Sequence, residues 1–240
     1  MTTALILAAM MCLGSAAAHA APAPAAAPAP AATPAAPATP AAPAAPSAPA
    51  AAPDANPSKD PFTFSTLTGW RSERIPFPLE FAPSLAYTGF EELRFAPGMF
   101  DPKSDTYFTY AFFWWIDGEI APTREQLEKD LVLYFRGLSD SVAASRELKV
   151  DTDKVTARVF QVMAFGRPKT DATPRYRAAV KTPDAFNDGA IVTLNMEITS
   201  QYCASAKHTC VFFCASPQPY ERDEWDTLWT IRNLFQCAEP

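Results

Sequence analysis

The run DTYFTYAFFWWIDG at residues 105–118 constrains this chain more than any other stretch, because it has no polar face. In an extended strand successive side chains point to opposite sides. Tyr107, Thr109, Ala111, Phe113 and Trp115 therefore face one way, and Phe108, Tyr110, Phe112, Trp114 and Ile116 the other. Both sets are dominated by large apolar rings. Such a strand belongs in the interior of a sheet with cover on both faces. The rest of the sequence must supply that cover.

Two segments have the pattern to do so. In PTREQLEKDLVLYFRGLSDSVAAS (122–145), Thr123 and Gln126 stand at capping-box spacing after Pro122. Leu127, Leu131, Tyr134, Phe135, Leu138 and Val142 then fall on one helical stripe. In ERDEWDTLWTIRNLFQC (221–237), Trp225, Leu228, Trp229 and Phe235 share a face, and Glu221, Asp223 and Glu224 sit where a helix N-terminus favours acids. Strand patterns occupy residues 90–95, 155–166, 175–182, 190–203 and 209–216. The connections GRPKTDATP and PDAFNDG read as hairpin-type turns. Ahead of these, the prolines of residues 69–89 keep that extended segment out of a central strand position. The expected fold is α+β, a mainly antiparallel sheet with helices packed on both faces. Its element order resembles the α-β-α sandwiches of the PsbP/Mog1 type, which implies a fold and no function.

The N-terminal residues carry a different message. Residues 1–20, MTTALILAAMMCLGSAAAHA, contain no acid or base beyond the amino group and pass from an apolar core to Ala18-His19-Ala20, the pattern of an export signal cleaved after Ala20. Residues 21–57 are almost wholly Ala and Pro. They predict a disordered, polyproline-like spacer about 100 Å long when extended. One globular domain is expected over residues 58–240, with no transmembrane span in the mature form. All of the formal net charge of −6 except that of Asp54 falls in that domain and makes nucleic acid an unsuitable partner. The one near match to an N-glycosylation site, Asn56-Pro57-Ser58, has the forbidden proline.

The runs WRSERIPFPLEFAP from Trp70, FEELRFAPGMFDP from Phe90, YFTYAFFWW from Tyr107 and WDTLWTIRNLFQC from Trp225 resemble a group of exported bacterial proteins without assigned activity. That resemblance implies a periplasmic or secreted location and no catalytic residue.

Outside the signal the chain holds four cysteines, Cys203, Cys210, Cys214 and Cys237. In an exported protein these predict two disulfides. The spacing of Cys203, Cys210 and Cys214 with His208 lacks the paired knuckles of structural zinc, and no C-x-x-C suggests redox exchange. Cys210 and Cys214, about 13 Å apart if their strand is extended, are too distant to bond. Two connectivities then remain. Cys203–Cys210 with Cys214–Cys237 is the favoured one, because it joins opposed hairpin positions; Cys203–Cys214 with Cys210–Cys237 is the other.

His208 falls in a turn and offers no triad. Glu91-Glu92 and Asp117-Gly118-Glu119 are the carboxylate pairs worth weighing for hydrolysis. The tryptophans Trp114, Trp115, Trp225 and Trp229 fit core packing better than sugar stacking. Met99 and Phe100, in the PGMFDPKS turn, become a partner contact if exposed and a satellite cluster if folded back. The expected protein is noncatalytic, without metal or cofactor, and binds an envelope protein or glycan. The alternatives are a carboxylate-dependent hydrolase of envelope polysaccharide and a small-molecule or lipid carrier with an internal cavity.

Overall fold

The computed structural model describes residues 60–162 and 174–238. The expected export signal (1–20), the spacer (21–57) and most of the GRPKTDATP connection lie outside the described residues. In chain order the elements are β1 (Phe62–Phe64), β2 (Arg71–Pro76), β3 (Gly89–Phe95), β4 (Tyr110–Asp117), α1 (Arg124–Ser145), β5 (Thr156–Gln161), β6 (Arg175–Pro183), β7 (Ile191–Cys203), β8 (His208–Ser216), α2 (Asp223–Asn233) and β9 (Phe235–Cys237). A short 3-10 turn, Thr152–Lys154, leads into β5. The fold is α+β: mostly antiparallel strands in two sheets, with two helices among the described residues.

β4 lies where its two apolar faces require, inside a seven-stranded sheet of order β2-β3-β4-β8-β7-β6-β5 in which every pairing is antiparallel. Its residues from Tyr110 to Ile116 are all buried. On one side Phe112 stacks on Phe213 at 4.5 Å and on Tyr134 of α1 at 5.4 Å, while Trp114 packs 4.7 Å from Phe213. On the other side Ala111, Phe113 and Trp115 join Phe62, Phe212, Cys210 and Cys214 in a cluster with Trp225, Leu228 and Ile231 of α2. β2, which ends at Pro76, takes the sheet edge, where a residue without N–H costs no ladder bond.

The first helix follows its pattern closely. Thr123 Oγ1 accepts from the Gln126 backbone N–H at 3.1 Å, and Leu127, Leu131, Tyr134, Phe135, Leu138 and Val142 are all buried. The Gln126 side chain does not complete the capping box; its Nε2 donates to Asp130 at 2.7 Å instead. The second helix is shorter than its sequence pattern suggests. It ends at Asn233, and Phe235–Cys237 turns into β9, pairing residue by residue with β1. Ile231 rather than Phe235 therefore completes the buried face with Trp225 and Leu228. β1 and β9 lack a detectable sequence signal, since three-residue strands show no periodicity.

Gly137 explains how α1 approaches the segment leading to β3. A Cβ at this helical position would sit 1.8 Å from the Phe81 carbonyl oxygen and 2.7 Å from its carbon. Glycine is there for contact, not for flexibility. Gly137→Ala should lower stability by about 1–3 kcal/mol through overpacking, against the ~1 kcal/mol gain of alanine in an open helix. Urea unfolding of both chains measures this; an unchanged or raised midpoint refutes the close-approach account.

Candidate functional site

The cysteines are arranged otherwise than the sequence suggests. Cys203 is bonded to Cys237, with Cα atoms 5.5 Å apart, and Cys210 and Cys214 are free and buried. One disulfide thus replaces the two expected, and neither of the weighed connectivities occurs. The register supplies the reason. His208, not Cys210, stands opposite Cys203, whereas Cys210 faces Gln201 and Cys214 faces Glu197. Cys214 lies under α2, its Sγ 3.5 Å from the Leu228 carbonyl oxygen. Because α2 stops early, β9 carries Cys237 past both thiols to the end of β7. Burial raises both free thiols above their ordinary pKa, which disfavours the reactive thiolate form.

Met99 and Phe100 fold back. Met99 is 2% exposed, its carbonyl accepting from Phe108 N–H at 2.9 Å, and Phe100 packs on Phe95 and Phe186 with the Arg71 guanidinium above it. The partner contact expected at this turn is therefore replaced by a satellite cluster. The space enclosed beside it, between Met99, Phe108, Tyr134 and Phe186, is ≈ 10 Å³, the room of about one water. Trp114, Trp115 and Trp225 are core residues at 2% exposure or less. His208 stacks on Trp115 at 5.0 Å and pairs through Nε2 with Asp117 at 2.7 Å. Among the described residues no three His, Cys, Asp or Glu side chains gather as a metal site, and no helix is long and apolar enough to cross a membrane.

Glu91 and Glu92 point to opposite sides of β3. Glu92 is gripped by Arg74 at 2.5 Å and Arg94 at 2.7 Å. Arg74 also reaches Asp60, and Arg94 donates to the Phe64 carbonyl at 2.8 Å, fastening β1 to the sheet. Glu91 is sealed in the core with Trp114 Nε1 donating to it at 3.2 Å, and its second carboxyl oxygen has no hydrogen-bond partner. Burial pushes its pKa up to about 8, against the donor contacts of Tyr134 and Trp114, and Glu73 adds to the rise. The two carboxyls cannot converge on one substrate.

The surface that does bring functional groups together lies on the other half of the sheet. Along β5, β6 and β7 one set of alternating side chains is buried on the α1 side: Ala157, Val159, Tyr176, Ala178, Val180, Leu194, Met196 and Ile198. The opposite set presents Arg158, Phe160, Arg175, Arg177 and Lys181 on β5 and β6, and Thr199 and Gln201 on β7, where Arg232 of α2 and Cys237 of β9 reach its border. Glu197 is the only carboxylate these three strands turn to this side. It is 4% exposed and bound by Arg175 Nη2 at 2.7 Å and by Arg232 Nη1. Arg177 lies over the Tyr220 ring at 4.1 Å. Where this face meets the end of α2, a recess of ≈ 360 Å³ opens between Arg175, Thr199, Gln201, Arg232, Asn233 and Phe235. The sequence showed only the short run Arg175-Tyr176-Arg177; the remaining residues come from elements distant along the chain.

Two outcomes test these assignments. Between the ordinary glutamate pKa of 4.5 and about 8, the folded protein keeps on Glu91 a proton that the unfolded chain has lost. Stability therefore falls as pH rises through this window, by at most about 1.4 kcal/mol per pH unit, and the loss levels off above it. Glu91→Gln should flatten this slope in urea unfolding at a series of pH values; parallel slopes contradict the neutral buried carboxyl. Thiol titration of the non-reduced chain from which the signal has been removed should label Cys210 and Cys214 only after denaturation, and peptide mapping should recover Cys203 joined to Cys237.

No protein-family model and no curated protein matches the chain. Among solved structures it is similar to the solution structure of cyanobacterial PsbP (CyanoP) from Synechocystis sp. PCC 6803, covering 75% of this chain and 89% of that chain at 11% identity and a TM-score of 0.34. The likeness is too loose to transfer fold detail or function.

Proposed function

We propose that the chain is an exported, noncatalytic binding protein of the bacterial envelope, and that its working surface is the open face of β5, β6 and β7. The observation that carries this reading is local charge. In a chain of net charge −6, Arg158, Arg175, Arg177 and Lys181 stand on one uncovered sheet face whose sole strand-borne carboxylate is already paired. Like-signed side chains left together on a face gain nothing from one another and favour an anionic partner. Export is supported by the pattern of residues 1–20 and by the Cys203–Cys237 bond, since disulfides persist in oxidising compartments. The Ala/Pro tract then serves as a spacer between the domain and its surroundings.

The finer architecture, an α-β-α sandwich with a helix over each face of β4, is supported by the contacts of Tyr134 with Phe112 and by the clustering of Trp225 with Phe113 and Trp115. A carboxylate hydrolase gains no support from Glu91 and Glu92, which point apart. A lipid carrier would need a chamber far larger than the ≈ 10 Å³ beside Met99.

Cosedimentation with washed, insoluble envelope fragments tests the binding reading. The purified chain lacking its signal should enter the pellet, and Arg158→Glu/Arg177→Glu should leave it in the supernatant with an unchanged unfolding midpoint. Equal sedimentation of the variant, or none by the parent, refutes the assignment.

A further inference from the structure

We propose that the occupant of the open face is an acidic polysaccharide, a glycan whose repeat carries carboxylate groups; this rests on the binding reading above and gives it a ligand class. On β6, Arg175 and Arg177 recur every second residue, about 7 Å apart, and Lys181 continues the same line to about 20 Å from Arg175. Arg158 of β5 stands beside this row, opposite Ala179. A row of cations on a rigid strand matches a linear polyanion with charges recurring every one or two sugar rings, and does not match a single compact ion.

The recess at the end of the row supplies what charge alone does not. Glu197 binds one donor from each of Arg175 and Arg232, which fixes two planar guanidiniums while leaving a net positive charge beside the recess. Arginine presents further N–H groups in a geometry suited to a second carboxylate. Thr199, Gln201 and Asn233 add hydroxyl and amide groups that can meet sugar hydroxyls, and Phe235 offers an apolar wall for the C–H face of a ring. The volume, ≈ 360 Å³, lies at the small end of the ~300–1,000 Å³ range of ligand pockets. At the other margin, Phe160 is 59% exposed directly opposite Arg177, an aromatic surface beside a cation. Amphipathic rings next to paired donors suit a chain that is at once anionic and built of rings. A flat lipid surface would leave the recess unfilled.

The test is the affinity of the chain lacking its signal for polygalacturonate, measured by calorimetry alongside neutral dextran, polyphosphate and phosphatidylglycerol vesicles. Polygalacturonate should bind and dextran should not. Its affinity should fall roughly tenfold or more on moving from about 0.05 to 0.3 M salt and by a similar factor in Arg158→Glu/Arg177→Glu. Phe160→Ala should weaken binding several-fold without changing the salt dependence. Polyphosphate binding as tight as polygalacturonate and indifferent to Phe160→Ala would reveal bare charge attraction and overturn the glycan assignment. Vesicle binding in place of polygalacturonate binding overturns it as well. If none of the probes binds while the chain still sediments with envelope fragments, the ligand class is wrong and the binding reading stands; loss of both removes both.

Discussion

Strand β4 has no side that can face water, and the architecture answers that one demand. Each alternate set of its rings needs a different layer of protein. The stack Phe213–Phe112–Tyr134, with ring centroids 4.5 and 5.4 Å apart, joins the sheet to α1 on one side. Across the strand, Phe113 lies within 5.3 Å of Phe62 and 5.0 Å of Phe235, which belong to the small β1–β9 sheet, and the same cluster includes Trp225 of α2. Burial of this many aromatic side chains dominates what the fold can gain from leaving water. The two ends of the domain are therefore drawn to the same face of the same strand. The Cys203–Cys237 bond then holds β9, and through it β1, beside the sheet.

The two helices differ in length and in the strands they contact. α1 has 22 residues and packs across β5 and β6 as well as reaching β4 through Tyr134. α2 has 11, and it packs mainly on β8 and β4, with Arg232 at its end reaching Glu197 of β7. A seven-stranded sheet is wider than so short a helix can seal. The outward side chains of β5 and β6 must accordingly be ones that tolerate water, and the alternation places Arg158, Arg175, Arg177 and Lys181 there. What the short helix leaves exposed, rather than what it covers, is the part of the molecule available to a partner.

Long periodic elements could be read from the sequence because their patterns report burial directly: the two-sided β4, the α1 stripe, and the antiparallel strands between the helices. Features decided by where one element stops could not. The apolar residues of 221–237 continue the helical pattern past Asn233, yet Phe235 and Cys237 lie half-buried on a strand whose partner, β1, lies far away in the sequence. The cysteine pairing followed from that undetected turn and from a hairpin register that sets Cys203 against His208. Met99 was ambiguous for a related reason, since the Pro97-Gly98 turn shows that the chain reverses but not which way its tip leans. The recess at Arg232 joins β6, β7, α2 and β9, and no local pattern could have assembled it.

Among the described residues one carboxylate stands between two guanidiniums at Glu92 and again at Glu197, and comparing the two shows why only one of them is a candidate for recognition. At Glu92, Arg94 is 5% exposed and gives further donors to the Leu93 and Phe64 carbonyls, while Arg74 is shared with Asp60. Those groups are committed to holding β1, β2 and β3 together. At Glu197, Arg175 engages the carboxylate through Nη2 but keeps half of its side chain exposed, and Arg232 and Asn233 border a recess rather than a wall. Removing a partner from the first arrangement leaves a buried charge uncompensated and threatens the fold. The second has a buried anchor and a solvent-facing remainder, so a ligand carboxylate can add to it without displacing anything the core needs.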